Sequence, residues 1–109
     1  MENGRIFQQL IPEMVEIYGG LLVSVILYGS VARGTQTDES DIDMAVILRS
    51  KESDDMKERM TDIIVDWELE HNKVLSVLRV DYAKFKIWED TMPFYKNIKE
   101  DGVILWQAV

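Results

Sequence analysis

Asp41 and Asp43 stand two positions apart at the head of an apolar segment, Asp41-Ile42-Asp43-Met44-Ala45-Val46-Ile47-Leu48. Residues two apart on an extended strand project to the same face, so the two carboxylates can share a hard cation of the Mg²⁺ type, which prefers oxygen ligands. Like charges this close call for such a counter-charge. Upstream, Gly29-Ser30 comes directly off the apolar run Leu21 to Tyr28. Glycine there lets the backbone approach a ligand closely, and Ser30 supplies a hydroxyl and an N–H suited to a phosphate oxygen. Arg33 carries a planar donor fork that fits a phosphate group, and Gly34 permits a tight turn that brings it back over the site. Each residue has a plainer reading alone: Gly29-Ser30 as a strand-to-loop turn, Arg33 as a surface partner of Asp38 and Glu39. The chemistry lies in the combination.

The flanking pattern predicts the elements that hold these residues. Ile6, Leu10, Met14 and Tyr18 recur at four-residue spacing, with Phe7, Ile11 and Val15 beside them, an apolar helical face. Pro12 either kinks that helix or sets its regular start, and Gly19-Gly20 ends it. Leu21 to Tyr28 reads as a central strand covered on both faces, and Asp41 to Leu48 as a second. Met56, Met60, Ile63, Ile64 and Trp67 are spaced for a helix from Asp54 to about Glu70, with acids in its first turn. Val74 to Val80 is a third strand. Asp81 caps a short helix to Trp88, Pro93 opens another that closes at Gly102, and Val103 to Trp106 is a final strand. Interleaved helices and strands without repeat or linker predict one α+β sandwich over residues 1–109, a mixed sheet with helices packed on it.

Composition narrows the partners. A chain of 109 residues with 47% hydrophobic and 29% charged residues is a folded domain and not a disordered tail. Its 12 Lys and Arg against 20 Asp and Glu give a net charge of −8, which opposes nucleic-acid backbones and anionic membrane surfaces. Any phosphate must therefore be held locally. The absence of cysteine excludes disulfides and thiolate metal sites. The longest apolar run falls far short of the ~20 residues that span a bilayer, and Met1 to Arg5 shows no export pattern. The expected location is the cytoplasm.

Gly29-Ser30, ten intervening residues and Asp41-x-Asp43 resemble the signature of the nucleotidyltransferase superfamily that includes DNA polymerase beta and kanamycin nucleotidyltransferase. The local form, Gly29-Ser30-Val31-Ala32-Arg33-Gly34 followed by Ser40-Asp41-Ile42-Asp43, is most similar to the minimal nucleotidyltransferase (MNT) domains, the group of the MntA-like antitoxins. The motif covers about fifteen residues, and the resemblance in element order extends over residues 6 to 80. It implies the nucleotidyltransferase fold, with Gly29, Ser30, Arg33 and Ser40 on the nucleotide and Asp41 and Asp43 catalytic and binding Mg²⁺. An acceptor hydroxyl then attacks the α-phosphate of a nucleoside triphosphate, ATP by preference, and pyrophosphate leaves. A chain this short draws its acceptor surface from a homo-oligomer or a partner, and the resemblance points to a HEPN-domain toxin.

Active members carry a third carboxylate on a neighbouring strand. Strand three contains none, and Ser76 or Leu78 takes the expected place. Asp81 at its end is the candidate third catalytic acid, with a competing reading as the helix N-cap; Asp66 is a weaker candidate. A domain without the third acid would bind a nucleotide or a partner and not transfer. Trp67, Trp88 and Trp106, with Phe85, Phe94 and Tyr95, could form a base-stacking platform but are read as core, and His71 is read as a helix C-terminal charge.

Overall fold

The computed structural model describes residues 6–29 and 41–108. Ser30, Arg33 and Ser40 lie outside the described residues. The first helix, α1, runs Leu10–Tyr18. Pro12 therefore falls in its first turn, where a backbone N–H has no intrahelical partner and proline is tolerated. Gly19, at φ +55°, ends the helix and opens a 3₁₀ turn, Gly19–Leu21. Strand β1 is Leu22–Tyr28 and β2 is Ile42–Leu48.

Helix α2 spans Asp54–His71, with the Ser53 hydroxyl accepting the Met56 N–H at 3.2 Å and Asp54 and Asp55 in the first turn. It ends at Asn72, which adopts the left-handed conformation at φ +53°. Strand β3 is Leu75–Asp81, shifted one residue toward the C-terminus from the expected Val74 to Val80. Helices α3 (Tyr82–Trp88) and α4 (Pro93–Asp101) and strand β4 (Val103–Gln107) follow.

The sheet is four-stranded in the order β3-β2-β1-β4. β1 runs antiparallel to β2 and β4, whereas β2 and β3 are parallel, a pairing that requires a crossover, supplied by α2. The expected mixed sheet and α+β sandwich are what the chain forms.

Strand periodicity sorts β2 into two faces. Ile42, Met44, Val46 and Leu48 enter the larger core under α1 and α2, where Leu10, Met14, Met60 and Trp67 are buried. Ala45 and Ile47 point the other way, into a smaller core closed by Phe85 of α3 and Ile98 of α4. Asp43 has the parity of Ala45 and so lies on the face of the smaller core.

A buried polar clamp fixes the far end of the sheet. Tyr18 donates its hydroxyl to Glu52 Oε2 at 2.7 Å, and Arg79 Nε meets Glu52 Oε1 at 3.0 Å. Burial, and then the bond to Glu52, push the Tyr18 phenol far above its ordinary range.

Candidate active site

The strand registers place Tyr28 of β1, Asp43 of β2 and Ser76 of β3 in one row across the sheet. Paired residues in neighbouring strands share a face, so the three side chains form a line with the carboxylate in the middle. Asp43 is half-buried. Asp41, one residue before the strand begins, is exposed. The pair thus sits at the rim of the sheet, where ligand and solvent can reach it and the strand still fixes the backbone.

Gly29 explains how Asp43 is seated. It has φ +77°, a conformation that glycine adopts freely and other residues rarely do. A Cβ built there would run into Asp43 Oδ2 and lie 3.2 Å from its Cγ and 3.3 Å from its Cβ. The sequence reading has this glycine opening the backbone to a ligand. In the structure it makes room for the Asp43 carboxylate.

The phenol of Tyr28 completes the row's near side. Burial, and next the negative charge of Asp43, raise its pKa above the tyrosine norm. Tyr28 therefore stays protonated at neutral pH, a neutral phenol paired across the strands with Asp43. On the other side Ser76 offers a hydroxyl, a neutral donor or acceptor.

Asp81 does not join this site. It pairs with Leu48, five positions further along β3 than Ser76, or about 16 Å at the ~3.3 Å rise of a strand. Its carboxylate instead accepts the Lys84 N–H at 3.1 Å and caps α3. The N-cap reading of Asp81 replaces the catalytic one, because the register sends the strand's end away from Asp43. Asp66 belongs to α2, on the opposite face of the sheet, and lines a cavity of about 270 Å³ with Trp67 and His71.

Among the described residues no group of three or more His, Cys, Asp or Glu could hold a metal ion. The two carboxylates nevertheless suit Mg²⁺, which is commonly held by one or two protein carboxylates together with substrate phosphates and water. The room Gly29 makes for Asp43 supplies a positioned hard oxygen ligand of that kind.

The aromatic residues divide. Trp67 is core: it stacks on Phe7 with centroids 5.5 Å apart, donates Nε1–H to the Ile6 carbonyl at 2.8 Å, and meets His71 at 4.6 Å. Phe85 is core as well. Trp88 and Phe94 are exposed, contrary to the core reading. Phe94 meets Tyr28 edge-on, which brings an aromatic ring of α4 to the carboxylate row. No sequence signal ties residue 94 to residue 28, since only the tertiary fold makes them neighbours.

The mixed sheet with helices packed on it is a nucleotidyltransferase-type fold. Residues 8–105 match the nucleotidyltransferase domain family, and the chain belongs to it, among the transferases. A protein of Methanocaldococcus jannaschii named as a putative protein adenylyltransferase is 26% identical over 106 residues, covering 97% of this chain and all of that one. Two solved structures share the fold. A protein from Sulfolobus solfataricus described as a putative nucleotidyltransferase aligns with TM-score 0.61 and 19% identity over 95% of this chain and 79% of its own. A complex of a triply AMPylated Shewanella oneidensis HEPN toxin with an MNT antitoxin aligns with TM-score 0.51 and 15% identity, over 96% and 73%.

Proposed function

We propose that the protein is a Mg²⁺-dependent adenylyltransferase that moves AMP from ATP to a hydroxyl of a protein acceptor, with a HEPN-domain toxin as that acceptor. The seating of the Asp43 carboxylate in the space left by Gly29 carries this reading. Such a carboxylate is of use where a metal and a phosphate must be held to a fixed line. Support for an adenylyl group and a protein acceptor comes from the name of the methanogen relative and from the AMPylated toxin in the fold neighbour.

In the reaction proposed, the acceptor oxygen forms a bond to the α-phosphorus, the bond from that phosphorus to the β-bridging oxygen breaks, and pyrophosphate departs. Bound Mg²⁺ would neutralise charge on the phosphates as the bonds exchange. Asp41 and Asp43 would hold it. Asp43, the better seated of the two carboxylates, would take the acceptor's proton, with Tyr28 paired to it on the neighbouring strand. Gly29 leads into Ser30, Arg33 and Ser40, which we assign to the nucleotide's phosphates.

Ser76 favours a second reading. It occupies the row position across from Asp43 on the neighbouring strand, where an active member would carry its third acid, and a domain so altered binds a nucleotide or a partner without transfer. The readings separate on one assay with ATP labelled at the α-phosphate, Mg²⁺ and a HEPN-domain protein. Label on the acceptor and stoichiometric pyrophosphate support transfer, and both disappear in Asp43→Asn. Nucleotide binding with no label transferred supports the binding module. No helix among the described residues is long and apolar enough to cross a membrane, and we place the reaction in the cytoplasm.

A further inference from the structure

We propose that Phe94, at the start of α4, is the platform on which the nucleobase of the bound nucleotide stacks. The inference rests on the nucleotide reading above and adds to it a subsite that discriminates bases from bare phosphate.

Three observations converge on this ring. The first is position. Tyr28 and Asp43 are register partners on adjacent strands, with backbones about 5 Å apart, and the Phe94 ring centroid lies 6.0 Å from that of Tyr28. Phe94 thus packs on the register partner of the proposed metal-binding carboxylate, where a nucleotide held at Asp43 would reach it.

The second is exposure. Phe94 is 40% exposed although it contacts two other rings. Its contacts are both edge-type, at interplanar angles of 89° with Tyr28 and 81° with Tyr95. No ring among the described residues lies flat on it, so it remains available for the offset stacking that aromatic and base rings prefer.

The third is rigidity. Tyr95, the next residue, is half-buried and packs against Phe85 at 6.4 Å and Trp88 at 5.7 Å. Pro93 fixes the first turn of α4, and Ile98 anchors the helix in the smaller core. A platform held from behind loses little entropy when a base settles on it. An exposed aromatic ring at a loop tip would have none of this support.

The test uses the whole chain and two probes, a non-hydrolysable ATP analogue with Mg²⁺ and inorganic tripolyphosphate with Mg²⁺, which presents the same phosphates and no base. Dissociation constants are measured for wild type, Phe94→Ala, Phe94→Trp and Asp43→Asn. Phe94→Ala should weaken the analogue roughly ten- to hundredfold and leave tripolyphosphate within twofold. Phe94→Trp should retain the affinity of wild type for the analogue. Asp43→Asn should weaken both probes. If Phe94→Ala weakens both probes equally, the residue acts through the fold, and if it weakens neither, the base lies elsewhere; either result overturns the proposal. Failure of wild type to bind either probe would overturn the nucleotide reading itself and leave a distinct signature.

Discussion

Gly29→Ala perturbs the site without adding or removing any charged group. The substitution places a methyl group where Asp43 Oδ2 now sits, in a backbone conformation at φ +77° that disfavours any Cβ. The left-handed backbone alone costs about 1–2 kcal/mol. Overlap with the carboxylate cannot be relieved by rotating its tip alone, because Cγ and Cβ of Asp43 are also tight at 3.2 and 3.3 Å. Asp43 must shift, and a displacement of about 1 Å in a catalytic group lowers rate on the order of a hundredfold. For a domain of this size, ~1–2 kcal/mol corresponds to a melting-temperature drop of roughly 4–9 °C. Circular dichroism melts and the label-transfer assay read the two effects separately. Gly20→Ala is the control, since a Cβ there meets nothing within 4 Å, and it should melt within about 2 °C of wild type. A Gly29→Ala protein that melts and transfers like wild type would refute the reasoning.

Other substitutions separate fold from site. Asp81→Ala removes the cap of α3 and should lower stability by about 1 kcal/mol in a denaturant titration, with AMP transfer unchanged; a large loss of transfer would restore Asp81 to the active site. Gly102→Ala should destabilise by about 1–3 kcal/mol through overpacking, because a Cβ there meets the Ile98 carbonyl and Ile26 Cγ2. Because the folded state raises the Tyr18 pKa, protonated Tyr18 stabilises the fold at every pH below the ordinary value of 10.0, and that contribution is lost as pH climbs beyond it. Stability of wild type should therefore fall more steeply above pH 10 than that of Tyr18→Phe, measured by urea denaturation across the alkaline range.

Much of this architecture is legible in the sequence because its signals are local. Four-residue apolar spacing marks α1 and α2, apolar runs mark β1 and β2, and Asp81 before a helical pattern marks a cap. The face that Asp43 takes is legible because the period of a strand is two, whereas Asp41, expected on the same strand, lies one residue before it. What escapes is whatever depends on which strands become neighbours. The parallel pairing of β2 with β3 decides that Ser76, and not Asp81, stands across from Asp43. The return of α4 over β1 decides that Phe94 reaches Tyr28 and stays exposed, whereas apolar character alone argues for burial. Gly29 shows a third kind of limit: its conformational freedom is legible, but the group filling the space beside it comes from β2, in a different segment of the chain.

In the function we propose, Asp41 and Asp43 hold a nucleotide through a divalent cation. Isothermal titration of the whole chain with a non-hydrolysable ATP analogue, with and without Mg²⁺, tests it most directly beside the Asp41→Asn, Asp43→Asn double variant. The account predicts binding to wild type that requires Mg²⁺ and is lost in the variant. Equal binding by both proteins, or Mg²⁺-independent binding by wild type, would contradict it.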